Sequence, residues 1–341
     1  MWPTEDRPYS GIFVQRQVSS LRRLGLTVDV IAFDGTDSRL EYLRALGRIF
    51  ALNFGRARYD LIHAHTGHCG IVACAQLRYP VLFSYSGYDL DGVPEDRDGL
   101  QRKTERLLFR HLSIFVAGTI VKSAKGMERL PARGRSRSTL LPNGVDREYF
   151  APMARDEARR RLGWNQEPPI VLFAADRTRF TKRFRLAADA FEVARRRVPN
   201  LELMVAEQVF PDEMPLWINA ADALILTSVT EGSPNVVKEA MACNLPIVSV
   251  DVGDVRDIID GTRNCHVCPA EPEALAAALV EVVSAPERSD GRGRSAHLGL
   301  DEVAGRLRAA YERASGRGPG LLGFLPRGRR SATHSLHREG A

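Results

Sequence analysis

The sequence lacks an apolar run that could cross a membrane. None of its hydrophobic runs approaches the roughly 18 residues that a spanning helix needs, and the first residues, MWPTEDRPYSG, lack the basic and apolar regions of a signal peptide. With 44% hydrophobic and 26% charged residues, the composition is that of a globular protein. A cytoplasmic location is the default expectation.

Cysteine is also scarce, with five residues in 341. An odd number of cysteines without a secretion signal favours reduced thiols. Two stretches, HAHTGHC at 63–69 and CHVC at 265–268, have residues that could bind zinc, but they lie about 200 residues apart. Zinc sites pair such elements at short separations, so the sequence favours buried structural cysteines and no metal.

Positive charge is concentrated at the end of the chain. The net charge is +6, but residues 315–341 contain five arginines and one glutamate. The rest of the chain is therefore close to neutral, which disfavours nucleic-acid binding by the folded body. The Gly, Pro, Arg and Ser composition of 315–341 predicts a disordered basic tail.

Short β-branched runs alternate with helical stretches throughout the chain. In the first half the runs are TVDVIAF, DLIHAH, PVLFSY, SIFVAG and TLLPNG, and in the second half they are PIVLFAAD, LELMVAE, DALILTS and LPIVSVD. Continuous apolar strands separated by helices are typical of parallel sheets covered on both faces. The pattern occurs twice, so the sequence predicts an α/β protein with two doubly wound, Rossmann-like domains.

The break between the two domains is predicted in LLPNGVDREYFAP, at 140–152. This gives an N-terminal domain at 1–146 and a C-terminal domain at 147–314 that ends in the helix DEVAGRLRAAYERAS. Two such domains bind ligands in a cleft at the carboxyl ends of their strands. The chain starts almost at its first helix, so the first strand of the N-terminal sheet is apparently missing, and we expect that the true start lies upstream.

The stretch EGSPNVVKEAMACN, at 231–244, begins at the carboxyl end of the strand DALILTS. Ser233 suits an N-cap and Pro234 the first helical position. The free N–H groups at the start of this helix would form an anion site, contributed by Asn235, Val236 and Val237. A carboxylate such as Glu231 accepts hydrogen bonds from sugar hydroxyls. The stretch indicates a nucleotide sugar, and the alternative is a capped helix with incidental acids.

A second stretch, AADRTRFTKRF, follows the strand PIVLF in the same domain. Its Arg177 and Lys182 would lie at the same sheet edge as Glu231. A departing diphosphate develops negative charge that fixed cations stabilise. The alternative is a solvated basic loop, because Arg179, Arg183 and Arg185 lie in the same segment.

Together these stretches resemble the retaining glycosyltransferase family 4, which has the two-domain GT-B fold. EGSPNVVKEAMACNLPIVS is similar to that family's E-x7-E signature, and Arg177 and Lys182 have its arginine-to-lysine offset. DLIHAH, VLFSYSGYDL, LPNGVDREYF, NAADALILTS and the YERAS helix follow in the family's order. The resemblance covers residues 8–314.

The resemblance implies a role for each matching residue. Glu239 would bind the ribose of the nucleotide and Glu231 the donor sugar, while Arg177 and Lys182 would bind the diphosphate and Gly11 would let the backbone approach it. Transfer would retain the anomeric configuration by front-side attack, with the diphosphate helping to take the proton of the acceptor. No metal or other cofactor would be required, and the nucleotide sugar would be a substrate.

The chain departs from the family on the acceptor side. Ser86 stands where the family often has histidine, so a sugar-contacting histidine is missing there. Asp89 begins a D-x-D triplet of the kind that binds metal in A-type glycosyltransferases, but in this fold it would instead shape the acceptor side. His63 and His65 end a strand at the cleft, where a histidine either contacts a ligand or has a structural role. Ser86, Asp89 and His65 are therefore the acceptor-side candidates.

The acceptor itself is weakly indicated by a basic and aromatic segment at 42–58, YLRALGRIFALNFGRAR. This mixture suits an anionic membrane surface or a lipid-linked glycan, which would place the protein at the inner face of the membrane, and the alternative is a solvated helix face. Two other function classes stay open: a sugar-nucleotide 2-epimerase and a non-catalytic nucleotide-sugar-binding module of the same fold.

Overall fold

A computed structural model describes residues 2–3, 10–33, 39–91, 100–285 and 287–316. Its N-terminal half contains a four-stranded sheet in which every pair of neighbouring strands is parallel. The strands follow the order β1-β2-β3-β4, and they are β1 (Ile62–His65), β2 (Val81–Ser84), β3 (Gly118–Val121) and β4 (Ser138–Leu140). The helices of this half are α1 (Ile12–Arg23), α2 (Arg39–Ala51), α3 (Gly67–Ala73), α4 (Gly87–Asp91), α5 (Leu100–Phe115), α6 (Ala124–Glu128) and α7 (Ala132–Arg135).

Two strand predictions in this half are wrong. Residues 27–33, TVDVIAF, form no strand in the described part of the chain. Their apolar side chains are still used, because Ile31 and Phe33 pack against Ala45 and Ile49 of α2. The first half of the run SIFVAG, residues 113–115, is the end of α5, and β3 starts only at Gly118. Apolar β-branched residues fit the buried face of a helix as well as a strand, so the run alone does not distinguish them.

The C-terminal half contains a five-stranded parallel sheet in the order β6-β5-β7-β8-β9. Its strands are β5 (Ile170–Phe173), β6 (Glu202–Val205), β7 (Ala223–Leu226), β8 (Ile247–Val250) and β9 (Cys265–Cys268). Its helices are α8 (Arg155–Leu162), α9 (Phe184–Arg195), α10 (Met214–Ala220), α11 (Asn235–Ala242), α12 (Val255–Ile259), α13 (Pro272–Ser284) and α14 (Gly291–Arg294), with 3-10 turns at Phe180–Lys182 and Ala296–Leu298. The strand order reverses between β5 and β7, which is where open α/β sheets bind ligands. The two predicted parallel sheets are confirmed.

The last helix, α15 (Leu300–Ser315), returns to the N-terminal sheet. Its buried Leu307 and Tyr311 lie in one cluster with Leu21 of α1, Leu82 of β2 and Ile120 of β3. The sequence groups this helix with the C-terminal domain by chain order, whereas in space it covers the N-terminal one. The predicted disordered tail lies outside the described residues from residue 317 onward.

The chain passes between the two halves at two adjacent places. Val145, within the predicted boundary, pairs with the segment before α15: its N–H donates to the carbonyl of Leu298 (2.9 Å), and its carbonyl accepts from Leu300 (3.0 Å). The segment at 140–152 is thus braced by the returning chain, and the domain bounds stay a prediction.

The burial predicted for the cysteines of the two stretches is only partial, because Cys69, Cys265 and Cys268 are half-buried. Cys265 and Cys268 lie in β9, whereas Cys69 lies in helix α3, and all five cysteines are free thiols. No three His, Cys, Asp or Glu side chains of the described residues form a group suited to a metal ion. Within the same ranges, no helix has the length and apolarity that spanning a bilayer requires.

Candidate active site

The carboxyl ends of the two sheets border a cleft of about 610 Å³. From the N-terminal half, its wall includes the strand-end residues His65, Ser86 and Lys122. From the C-terminal half, it includes Lys182 after β5 and Glu231 after β7. The predicted cleft is present, and both domains contribute to it.

Lys182 and Glu231 meet inside this cleft. The Lys182 ammonium donates a hydrogen bond to the Glu231 carboxylate, and their side chains are only 19% and 15% exposed. Backbone contacts fix the two loops together, because the N–H of Val229 donates to the carbonyl of Thr181 at 2.8 Å and the Thr227 hydroxyl donates to the carbonyl of Lys182 at 2.9 Å. The sequence placed these two side chains at one sheet edge, and the structure brings them into contact.

Arg177 does not join this pair. Its backbone N–H and its guanidinium both bind Glu207, at the end of β6, and its side chain is 55% exposed. Arg177 is absent from the residues that line the cleft, whereas Arg179, two positions later, is among them and donates to the Tyr88 hydroxyl at 3.3 Å. The loop after β5 therefore presents Arg179 and Lys182 to the cleft.

Helix α11 begins one residue later than predicted, at Asn235, with Pro234 as its N-cap. Pro234 is extended (ψ 122°), so it precedes the helix instead of opening it. Ser233 does not cap the helix, and its hydroxyl accepts a hydrogen bond from the buried Lys238 ammonium at 2.8 Å. Asn235 and Val236 of the first turn still line the cleft, and the first N–H groups of a helix have no partner within it. The Val237 side chain is fully buried in the core.

Glu239 also lines the cleft and faces a partner from the opposite domain. The Arg16 guanidinium of α1 lies 3.5 Å from its carboxylate and stacks over the rings of Tyr149 and Phe150, at 5.1 and 5.2 Å. Burial raises the pKa of Glu239, and Arg16 opposes this shift. Sequence reasoning missed Arg16, although its position one turn after Ile12 places both residues on the face of α1 that lines the cleft.

Comparisons with known proteins show which family this chain belongs to. A family model described as "Glycosyltransferase Family 4" matches residues 10–149, and one described as "Glycosyl transferases group 1" matches 177–285. The chain is 23% identical to the protein named "Putative teichuronic acid biosynthesis glycosyltransferase TuaC" of Bacillus subtilis, over 85% of this chain and 90% of that protein. This chain belongs to the group 1 glycosyltransferases.

Solved structures show the same fold. The sucrose-phosphate synthase of Thermosynechococcus elongatus superimposes with a TM-score of 0.71 at 18% identity, over 92% of this chain and 95% of that one. The Anabaena protein HepE in complex with UDP-glucose superimposes with a TM-score of 0.60 at 17% identity, over 86% and 87% of the two chains. The predicted GT-B fold of this glycosyltransferase is confirmed.

The acceptor-side candidates of the glycosyltransferase have different environments. Ser86 lines the cleft, and both its N–H (2.7 Å) and its hydroxyl (2.9 Å) donate to Asp89, which also accepts from the N–H of Gly67 at 3.1 Å. Burial raises the pKa of Asp89, and the carboxylate holds two strand-end loops together behind the cleft wall.

The two histidines differ in their contacts. His63 is held by the hydroxyls of Tyr311 (2.8 Å) and Ser84 (2.7 Å), so both of its ring nitrogens are engaged by the protein. His65 lines the cleft, and burial lowers its pKa to about 3, which keeps its ring neutral. Of the two, His65 is the one whose ring can reach a ligand.

Gly11 caps the start of α1 in a left-handed conformation, with φ 71°. A residue with a side chain is strained there, which explains the glycine. Its neighbour Ile12, and not Gly11 itself, is among the residues that line the cleft.

The two domains touch through glycine backbones beside Glu231. A Cβ placed on Gly87 would lie 2.5 Å from the nitrogen of Gly232 and 2.7 Å from the carbonyl carbon of Glu231. Two side-chain contacts flank this glycine seam: the hydroxyls of Tyr88 and Thr181 are 2.9 Å apart, and Lys125 binds Asp251 at 2.8 Å. The loop that carries Glu231 is therefore positioned directly by the N-terminal domain.

Proposed function

We propose that this glycosyltransferase moves a sugar from a nucleotide-diphosphate sugar to a glycan or lipid-linked acceptor, with retention of the anomeric configuration. The observation that carries the proposal is the Lys182–Glu231 pair in the cleft. Its carboxylate, Glu231, lies shortly before the start of α11 at Asn235. A carboxylate for hydroxyls and an ammonium with helix N–H groups for a diphosphate are the groups that such a donor needs. The Anabaena structure with UDP-glucose supports this donor class.

Each part of the donor has a matching group in the cleft. Glu239 would accept hydrogen bonds from the ribose, and this requires Arg16 to share or release that carboxylate. Glu231 would bind hydroxyls of the transferred sugar. Lys182 and the N–H groups of Asn235 and Val236 would bind the diphosphate. Arg179 would be the second cation, and Arg177 would take that place only if it left Glu207.

The reaction would proceed on one face of the sugar. As the bond to the diphosphate breaks, negative charge develops on the leaving oxygen, and Lys182 and the N-terminus of α11 stabilise it. The diphosphate itself would take the proton of the acceptor hydroxyl as that oxygen attacks the anomeric carbon from the same side. The chain's own groups then bind, orient and neutralise charge, and the resulting glycoside keeps the configuration of the donor.

Donor binding is tested by thermal unfolding with a panel of nucleoside diphosphates and their sugars. A ligand that binds only the folded protein raises the melting temperature, so one nucleoside diphosphate should raise it and the others should not. Anomeric proton NMR of the product then tests retention. A 2-epimerase would instead interconvert the free donor without acceptor, and a binding module would release no nucleoside diphosphate in the presence of lipid extract.

Chelation provides a second test. With EDTA in excess, we expect the rate of nucleoside diphosphate release to stay within about twofold of the untreated rate, because Lys182 and α11 supply the charge that a metal supplies in D-x-D enzymes. A matched assay of a metal-dependent D-x-D glycosyltransferase shows that chelation is complete. A loss of more than tenfold that Mg²⁺ or Mn²⁺ restores would contradict a metal-independent reaction.

We further propose that α2 and the loop after it rest on an anionic membrane at the cytoplasmic face. Leu43, Phe50 and Phe54 are exposed by 63%, 53% and 77% on this surface. Leu77, which follows α3 and is 92% exposed, adjoins it, because its N–H donates to the Asn53 side chain at 2.9 Å. Basic side chains accompany them, namely Arg44, Arg48, Arg56, Arg58 and Arg78. Apolar anchors among arginines suit the boundary between anionic headgroups and acyl chains, where a lipid-linked acceptor would be found.

Phe54→Glu should lower the fraction of protein that sediments with phosphatidylglycerol vesicles by about fivefold. The substitution replaces an exposed apolar anchor with a carboxylate, which the anionic headgroups repel. Phe210→Glu, at a residue that is 61% exposed in the C-terminal domain, is the matched control and should sediment as the unchanged protein does. Equal sedimentation of the two variants, or none of the unchanged protein, would exclude this membrane surface.

A further inference from the structure

Lys122 is a cleft residue that the proposed function does not use. It follows β3 directly, it lines the cleft, and it is only 9% exposed. Among the described residues its ammonium has no hydrogen-bond or ion-pair partner. Burial lowers the pKa of Lys122 to about 7. Its ammonium keeps access to the cleft, so a group bound there could contact it.

The charges around Lys122 do not balance. Lys238 is fully buried nearby and disfavours the charge on Lys122, whereas Asp254 favours it. Burial raises the pKa of Asp254 to about 6, so its carboxylate is itself a weak counter-ion. On the N-terminal side, the charge of Lys122 helps to lower the pKa values of His63 and His65. Lys238 is also favoured by the carboxylates of Glu239 and Glu231, whereas Asp254 is the carboxylate that favours the charge of Lys122. Lys122 is therefore the less compensated of the two ammoniums, and an anion in the cleft would favour its charge.

Lys122 lies next to the loop of Glu231 and approaches it from the N-terminal domain. A Cβ placed on Gly232 would be 3.3 Å from the Cβ of Lys122. Lys122 and Gly232 also line one small recess with Ser86 and Gly87. The cations for the diphosphate, Arg179 and Lys182, come from the loop after β5 in the other domain. Lys122 is therefore placed for the group that Glu231 binds.

We propose that Lys122 binds an acidic group of the transferred sugar, so that the donor is a nucleotide-diphosphate uronic acid. This inference rests on the proposed function, in which Glu231 binds the hydroxyls of that sugar. Glu231 would repel a carboxylate at its own position, so an acid-bearing sugar needs a cation on another side, and Lys122 supplies it from the N-terminal domain. A neutral sugar would offer the Lys122 ammonium a hydroxyl, which accepts a hydrogen bond but supplies no counter-charge.

The test compares donors that differ only in the acid. Isothermal titration should show the acid donor binding at least about tenfold more tightly in one of two pairs, UDP-glucuronate against UDP-glucose or GDP-mannuronate against GDP-mannose, the scale of one charge-assisted hydrogen bond. Lys122→Met should reduce that ratio to about one or below, and Lys122→Arg should keep most of it. The free nucleoside diphosphate should bind the unchanged protein and Lys122→Met equally, which verifies that the variant is folded.

Lys103→Met is the matched control, because it removes the same charge from an exposed position of α5. This variant should bind the acid donor more tightly than the neutral donor by the same factor as the unchanged protein. Equal or tighter binding of the neutral donors by the unchanged protein would overturn the inference and leave the proposed function intact. The inference would also be overturned, with the proposed function intact, if Lys122→Met changed only the KM of a phosphorylated acceptor. The anion that Lys122 binds would then belong to the acceptor. Failure of every nucleotide to bind would overturn both proposals.

Discussion

Lys182→Ala and Glu231→Ala are each expected to lower kcat/KM by on the order of a hundredfold, the scale of one lost contact to transition-state charge. Each substitution removes one half of a pair that is mostly buried in the cleft and leaves the other half without its partner. Without Lys182, the Glu231 carboxylate would face the diphosphate uncompensated. Without Glu231, the donor sugar would lose its hydroxyl acceptor. Steady-state release of nucleoside diphosphate measures both effects.

Arg185→Ala is the control for this pair. Arg185 lies in the same basic segment, but its side chain is 95% exposed and its nearest acid, Asp189, is 3.9 Å away. Its removal should change kcat/KM by less than about twofold, as expected for a surface ion pair. Losses of less than tenfold in both Lys182→Ala and Glu231→Ala would refute the site assignment. A comparable loss of kcat/KM in Arg185→Ala would show that the rate depends on the total positive charge of the loop and not on Lys182 itself.

Gly87→Ala is the second substitution with a large expected effect, again on the order of a hundredfold in kcat/KM. Gly87 does not have a left-handed backbone, so alanine is tolerated within its own domain, but the added Cβ would strike the backbone of Gly232 and Glu231. The loop of Glu231 must then move or the domains must separate. A displacement of about 1 Å at reacting groups costs about this much. Steady-state kinetics measures the loss.

Gly305→Ala separates this effect from a general effect of replacing glycine. Gly305 lies in α15 with open space around the new Cβ, and alanine favours a helix by up to about 1 kcal/mol relative to glycine. This variant should therefore keep its activity and melt at the same or a higher temperature. If Gly87→Ala turned over like the unchanged protein, the glycine seam would not position Glu231.

The local sequence predicted most of the strands and helices, but it did not show which strand-like runs pair with a neighbouring strand. The run DALILTS became β7, with Glu231 at its carboxyl end, because a buried central strand and the loop after it are specified by their own residues. TVDVIAF has an equally strand-like pattern and forms no strand, since a strand also needs a neighbour to accept its hydrogen bonds. SIFVAG has side chains that suit either element, and α5 continues into it.

The site was predicted where chemistry is local and missed where it depends on the other domain. Lys182 and Glu231 lie in loops of one sheet, so strand positions were sufficient to bring them together. Spacing could not show that Arg177 turns to Glu207, because the direction of a loop side chain is set by its neighbours in space. Arg16 and Lys122 are N-terminal residues that meet the C-terminal half, Arg16 at Glu239 and Lys122 at Gly232. Nothing in their own segments signals these contacts.

The path of α15 has a consequence for dividing the protein. Because this helix buries Leu21, Leu82 and Ile120 of the first domain, a fragment ending at residue 146 would expose that apolar surface to water. The complementary fragment would carry an orphaned amphipathic helix with nothing to cover. The N-terminal folding unit is thus discontinuous in the chain, and isolating it requires joining residue 145 to residue 300, two positions that already pair side by side.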